Sequence, residues 1–156
     1  MAVHTLTREQ FIPRPIEEVF GFFSNAANLQ AITPPHLDFR ILTPQPVRME
    51  AGTLLDYRLK WHGIPIRWRT RILEWNPPLV FVDLQLQGPY RLWHHTHTFR
   101  SENGSTVMQD IVKYELPLGP LGELAHTVKV RSDVGRIFDF RRDTIARLFT
   151  PTGVHR

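Results

Sequence analysis

The sequence predicts an α+β fold: one strongly curved, seven-stranded antiparallel sheet with a long C-terminal helix packed against it. Three observations predict it. Seven segments alternate in polarity with the period of two expected of strands, as in LLDYRLKW over residues 54–61. Short Gly-, Pro- and Asn-bearing turns separate most of them, which favours antiparallel neighbours. Beyond Pro117 and Gly119 the pattern changes to helical spacing and carries a broad apolar stripe.

The strands and helices follow in order. Val3 to Ile12 reads as the first strand, ended by Pro13 and Pro15, which lack the backbone donor a ladder needs. Pro15 suits a helix start, and Ile16, Val19, Phe20 and Phe23 recur at helical spacing behind Glu17 and Glu18. Ser24 and Asn25 break that helix and cap a second short one through Asn28, Leu29 and Ile32. Further strands are expected at Leu37 to Leu42, Thr53 to Trp61, Ile64 to Glu74, Leu79 to Leu86, Gly88 to Phe99 and Thr106 to Leu116. The final helix carries Leu124, Ala125, Val128, Val134, Ile137, Phe138, Ile145 and Leu148 as its stripe, with Gly135 as the place for a bend or break. Pro151 and Gly153 leave 151–156 as a flexible tail behind a single domain over 1–150.

Composition narrows the function. The 156 residues suffice for one domain with a real core, and 42% hydrophobic against 22% charged residues is a globular balance. With no cysteine, thiolate chemistry, disulfides and cysteine-ligated metals are excluded. The net charge of +4 comes without a recognisable nucleic-acid module, so Arg67, Arg69 and Arg71 on one strand and Arg141 and Arg142 on the last helix read as solvated surface. No nucleic-acid partner is expected. The N-terminus lacks the apolar run of a signal peptide and no run is long enough to span a bilayer, so a cytoplasmic location is expected.

The stretch GPYRLWHHTHTF (88–99) concentrates the candidate chemistry. Counting by two puts Arg91, Trp93, His95, His97 and Phe99 on one face. If Trp93 and Phe99 point inward, His95 and His97 go with them, which calls for a buried polar network or a cavity wall. Neutral histidines can orient a carbonyl or hydroxyl, or exchange a proton, and Asp110 is positioned to orient them if the neighbouring strand registers it nearby. Trp68, Trp93 and Phe99 offer apolar contact, while Tyr57 and Tyr114 offer hydroxyls. Aromatic core packing is the plainer reading of any one of them. A metal on His95 and His97 needs a third ligand, Asp110 or His94, and His94 falls on the other face. There is no HExxH or cysteine pattern, no nucleotide-binding glycine loop and no serine elbow. No metal and no cofactor is therefore expected.

Taken together, EQFIPRPIEEVFGFFSNAANLQAITPP, WNPPLVFVDLQLQGPYRLWHHTHTF and GSTVMQDIVKYELPLGPLGELAH resemble the START-like/Bet v 1-like (SRPBCC) superfamily, in its bacterial polyketide cyclase/dehydrase and lipid-transport group. The resemblance runs from about Val3 to Phe149. It implies a helix-grip fold, a curved sheet wrapped around the C-terminal helix, enclosing a cavity for an apolar or amphipathic ligand. The expected partner is a small hydrophobic molecule: a lipid, an isoprenoid quinone or an aromatic polyketide-like compound. The residues expected at the ligand are Tyr57, Trp68, Trp93, His95, His97, Phe99, Asp110 and Tyr114. The enzymatic alternative is a cyclase, dehydratase or isomerase in which His95 or His97 exchanges a proton and Tyr114 assists; a third reading is a protein-interaction module using the C-terminal helix. Transient membrane contact and either a monomer or a homodimer are compatible with all three.

Overall fold

The computed structural model describes residues 2–149. The predicted tail, 151–156, lies outside the described residues. Strand β1 (His4–Ile12) leads through the two prolines into α1 (Ile16–Phe23) and two 3-10 turns, Ala26–Gln30 and Pro35–Leu37. Strands β2 (Arg40–Ile41), β3 (Leu54–Trp61), β4 (Ile64–Asn76), β5 (Val80–Gln87), β6 (Leu92–Glu102) and β7 (Ser105–Glu115) follow, then helices α2 (Gly119–Ala125) and α3 (Arg131–Leu148) joined by a π turn, His126–Val130. The strands form one antiparallel sheet in the order β1-β7-β6-β5-β4-β3-β2, so the chain's first and last strands pair at one side. The sheet wraps the C-terminal helix in the helix-grip arrangement. Among the described residues, no helix is long and apolar enough to cross a membrane.

Local chemistry explains most boundaries. Glu17 and Glu18 sit in the first turn of α1, where carboxylates meet the positive end of the helix. Its buried face, Ile16, Val19, Phe20 and Phe23, packs on Ile12, Phe81, Phe99 and Met108. Each such side chain contributes roughly 1.5–3 kcal/mol through burial. A second cluster joins Phe39, Leu55, Tyr57 and Ile72 beneath the 3-10 turns. A third joins Val112 and Tyr114 of β7 to Val134 and Phe138 of α3.

Four expectations need correction. The strand predicted from Leu37 to Leu42 shrinks to two residues, because Leu37 closes a 3-10 turn and Asp38 adopts the left-handed conformation, φ 46°. The second short helix is a 3-10 turn capped by the Asn25 side chain, which accepts from the Ala27 N–H. The C-terminal helix breaks at the π turn, not at Gly135, and the break rotates its first part. Leu124 and Val128 of the predicted stripe are therefore 61% and 71% exposed, and Leu148 is exposed too. The face that α3 buries includes Val134, Phe138, Arg141, Thr144 and Ile145. Arg141, read from sequence as solvated, is 7% exposed.

Helix α2 seats closely on the chain that precedes it. A Cβ on Gly122 would stand 2.0 Å from the Pro117 carbonyl oxygen, so only glycine allows this approach.

Candidate functional site

The concave face of the sheet and the helix covering it enclose a cavity of about 380 Å³. Leu59, Trp61, Ile66, Trp68, Tyr90, Trp93, Ile137 and Phe138 form much of its apolar wall. Trp68 and Trp93 meet edge to face at 5.4 Å between ring centroids. Leu118, Leu121, Gly122 and Ala125 line it from the α2 side. Where the wall passes His95, His97, Asp83 and Arg141 it becomes polar.

Strand register builds that polar wall. In the ladders Asp83 pairs with His95 and Asp110 pairs with His97, so all four side chains share the concave face. The hydrogen bonds run diagonally, each histidine bonding the carboxylate opposite the other histidine. His95 Nε2 donates to Asp110 Oδ1 at 2.8 Å, and His97 Nε2 donates to Asp83 Oδ2 at 2.7 Å. The two imidazoles stack at 3.6 Å, and Phe81 stacks on the far side of His97 at 3.9 Å. From α3, Arg141 Nη2 donates to Asp110 Oδ1 at 3.3 Å.

The pKa values of the two histidines shift in opposite directions. His97 Nδ1 lies 3.2 Å from Asp110 Oδ1 and 3.5 Å from Arg141 Nη2. Nδ1 thus lies between the Asp110 carboxylate and the Arg141 guanidinium, while Nε2 is held by Asp83. Burial opposes that charge, but the hydrogen bonds and charges of Asp110 and Asp83 outweigh it and raise its pKa above the ordinary 6.5. His95 moves the other way, to about 4, because burial and the neighbouring His97 charge outweigh its bond to Asp110. Burial also opposes ionisation of both carboxylates. For Asp110 the Arg141 charge and the histidine bonds hold the pKa well below the usual carboxylate range, and for Asp83 the His97 bond and the nearby positive charges lower it. Asp83 and Asp110 thus face Arg141 and two imidazoles, the kind of pairing under which buried charges are tolerated.

Two positions at this wall have no protein partner among the described residues. His95 gives its proton-bearing Nε2 to Asp110, and its Nδ1 lone pair makes no hydrogen bond within the protein. Arg141 commits Nη2, while Nε is buried without an acceptor and Nη1 has none either. The wall thus offers one acceptor and one cationic donor side by side.

Of the residues singled out from sequence, Tyr57, Trp68, Trp93, His95 and His97 line the cavity. Tyr57 gives its hydroxyl to a 2.6 Å contact with Thr70 Oγ1, and burial raises its pKa. Phe99 is buried under α1, Asp110 stands behind the histidines, and Tyr114 turns away to a 2.8 Å contact with His126 Nε2. Asp83 and Arg141 were missed. Asp83 shares its face with Phe81, two residues away, and Arg141 lies three residues after Phe138 and four before Ile145, so strand parity and helical spacing carried both signals.

Two groups of metal-ligating side chains exist among the described residues: Asp83, His95 and His97, and His4, Glu123 and His126. In the first, a divalent ion would displace a proton from a histidine bonded to a carboxylate and stand beside Arg141, so the set is better matched to its own hydrogen bonds. In the second, the imidazoles of His4 and His126 stack at 3.5 Å with their planes 14° apart. Their lone pairs therefore run parallel and do not converge.

Residues 12–135 match the family model described as polyketide cyclase / dehydrase and lipid transport. No curated protein matches the sequence. Several solved structures share the fold at low identity. A protein of Chromobacterium violaceum superposes with a TM-score of 0.72 at 13% identity, covering 94% of this chain and 97% of its own. A ginseng major latex-like protein from Panax ginseng gives 0.69 at 10% identity, covering 96% and 99%. A protein of Thermus thermophilus gives 0.65 at 19% identity, covering 93% and 99%.

Proposed function

Because the chain belongs to the polyketide cyclase / dehydrase and lipid transport family, we propose that it binds, carries or sequesters a small hydrophobic or amphipathic molecule in its internal cavity. The observation that carries this reading is the cavity itself, about 380 Å³ and lined by aromatic and aliphatic side chains, with a polar wall. An apolar body fits the aromatic wall. One hydroxyl on the ligand can donate to His95 Nδ1 and accept from Arg141. A polyketide-like aromatic, a quinol or a hydroxylated lipid meets that description. A cytoplasmic carrier, collecting its ligand from a membrane or an enzyme, accords with this chemistry.

Native mass spectrometry of gently purified protein, followed by release and identification of the bound species, tests the reading. We expect a stoichiometric apolar molecule of a few hundred daltons. A protein that releases nothing and binds no member of a representative hydrophobic library would overturn it.

The unpartnered Nδ1 of His95 favours one second reading, acid–base chemistry on the bound molecule. A neutral imidazole held by Asp110 is a base, and Arg141 can stabilise the enolate formed when a proton leaves the carbon beside a carbonyl. The same pair serves cyclisation or dehydration of an aromatic polyketide-like substrate. His97, with both nitrogens engaged, and Tyr114, turned to His126, are not available for this role as the cluster stands. Turnover that disappears in His95→Gln while binding survives would support this chemistry; unchanged turnover would exclude it.

A further inference from the structure

Behind the polar wall lies a second, smaller chamber of about 60 Å³. It is lined by Phe23, Ala26, Met49, Leu55 and Ile72, among others. The two cavities share Leu29, Ile32, Tyr57, Asp83, His97 and Arg141. The polar cluster is therefore a partition with apolar space on both sides, and not the blind end of a single pocket.

Arg141 stands in that partition. Its guanidinium carbon lies 5.3 Å from the centre of the Phe23 ring and 5.8 Å from that of Phe138. Phe23 belongs to the small chamber and Phe138 to the large one. The side chain is loosely held for a buried cation, with long contacts from Nη2 alone, 3.3 Å to Asp110 and 3.5 Å to His97 Nδ1, and a buried Nε without a partner. A ligand oxygen placed at the partition would satisfy it, since a buried donor left unmet is destabilising.

We infer that the small chamber is a second apolar subsite, and that the ligand is an apolar molecule whose hydroxyl or carbonyl lies inside its length, with a large body on one side and a short alkyl group on the other. The inference rests on the cavity-binding reading above and specifies its ligand. The large cavity takes the ring system or long chain. The polar group stops at Arg141 and His95. The chamber beyond admits an alkyl group of about two or three carbons. A ligand ending in its polar group, such as a simple fatty acid, would leave that chamber empty.

The test is a series of naphthalen-2-yl carbinols whose carbinol carbon bears hydrogen, methyl, ethyl, propyl or hexyl, with affinity measured by calorimetry. Affinity is expected to rise about four-fold per carbon up to ethyl or propyl, then fall at least ten-fold at hexyl. Ala26→Leu, which fills the chamber, should move the optimum to hydrogen or methyl. Met49→Ala, which enlarges it, should move the optimum one or two carbons longer, and it carries the test alone if the first variant does not fold. Both variants should bind the unsubstituted carbinol as the parent protein does. Affinity independent of chain length, or rising through hexyl alike in parent and variants, would overturn the second subsite and leave the cavity reading standing. Failure of every carbinol to bind, the unsubstituted one included, would overturn both.

Discussion

The protein holds two stacked pairs of histidines, and they show how surroundings decide what an imidazole becomes. His95 and His97 stack at 3.6 Å, and His4 and His126 at 3.5 Å. The first pair is buried between Asp83, Asp110 and Arg141. The second joins β1 to α2 and the π turn nearer solvent, where His4 contacts Glu123 at 3.0 Å and His126 meets the Tyr114 hydroxyl. Two buried carboxylates favour a proton on one member of the first pair, His97. A phenol cannot do the same for His126: burial, then the neighbouring His4, lower its pKa. The same stacking therefore accompanies opposite shifts: His97, between two buried carboxylates, is raised, and His126, beside a phenol, is lowered.

The largest effect should follow from breaking that frame. Asp110→Asn removes the anion that meets His95, His97 and Arg141, leaving buried positive charge uncompensated. Chemical denaturation at pH 7 should show a loss of about 3–5 kcal/mol. Arg141→Met acts on the same frame with the opposite sign, leaving two buried carboxylates without the guanidinium. Its deficit at neutral pH should shrink as the pH falls from 7 toward 5, because Asp110, freed of the guanidinium, then takes up a proton. A deficit that stays constant with pH would mean Arg141 contributes packing and not charge.

The next effect concerns proton linkage. The folded pKa of His95 is about 4, below the ordinary 6.5. The unfolded chain therefore binds the proton first, and the stability that a neutral His95 confers is present above pH 6.5 and lost as the pH falls toward 4. Between pH 6.5 and 5 the loss amounts to roughly 2 kcal/mol. His97, with its pKa raised, works in reverse: its contribution is complete below 6.5 and disappears as the pH rises through its folded value. His95→Gln should remove the acid-side loss in a series of denaturation curves from pH 5 to 7.5, and an unaltered slope would contradict the assignment. The smallest effect belongs to the outer pair. His4→Ala removes the stack and the partly exposed Glu123 contact, and should cost about 1 kcal/mol or less, with faster amide exchange confined to α2 and the π turn.

The difference between the pairs also shows what the sequence made legible. Strand parity placed His95 and His97 on the inner face because alternation is a local property. It could not supply their partners, since the diagonal bonds to Asp83 and Asp110 depend on register across two ladders. Arg141 was hidden by its own chemistry: an arginine on an amphipathic helix is ordinarily solvated, and only anions from β7 and β5 draw this one inward. The apolar stripe from Leu124 to Leu148 was misread at its start because a single helical period was carried across a π turn that inserts an extra residue and rotates the face. Leu148 lies on the far side of that turn, in the exposed last turn of α3. The antiparallel pairing of consecutive strands, by contrast, followed from the short turns between them, while the pairing of β1 with β7 joins distant segments and carries no such local signal.

The central claim is that the two carboxylates of the cavity's polar wall favour a protonated His97 beside a neutral His95 whose Nδ1 faces no protein donor. Nitrogen-15 chemical shifts of the histidine ring atoms at pH 7 test it most directly. The account predicts both nitrogens of His97 protonated, and His95 as the Nε2–H tautomer with a free Nδ1. A neutral His97, or a His95 carrying its proton on Nδ1, would contradict it.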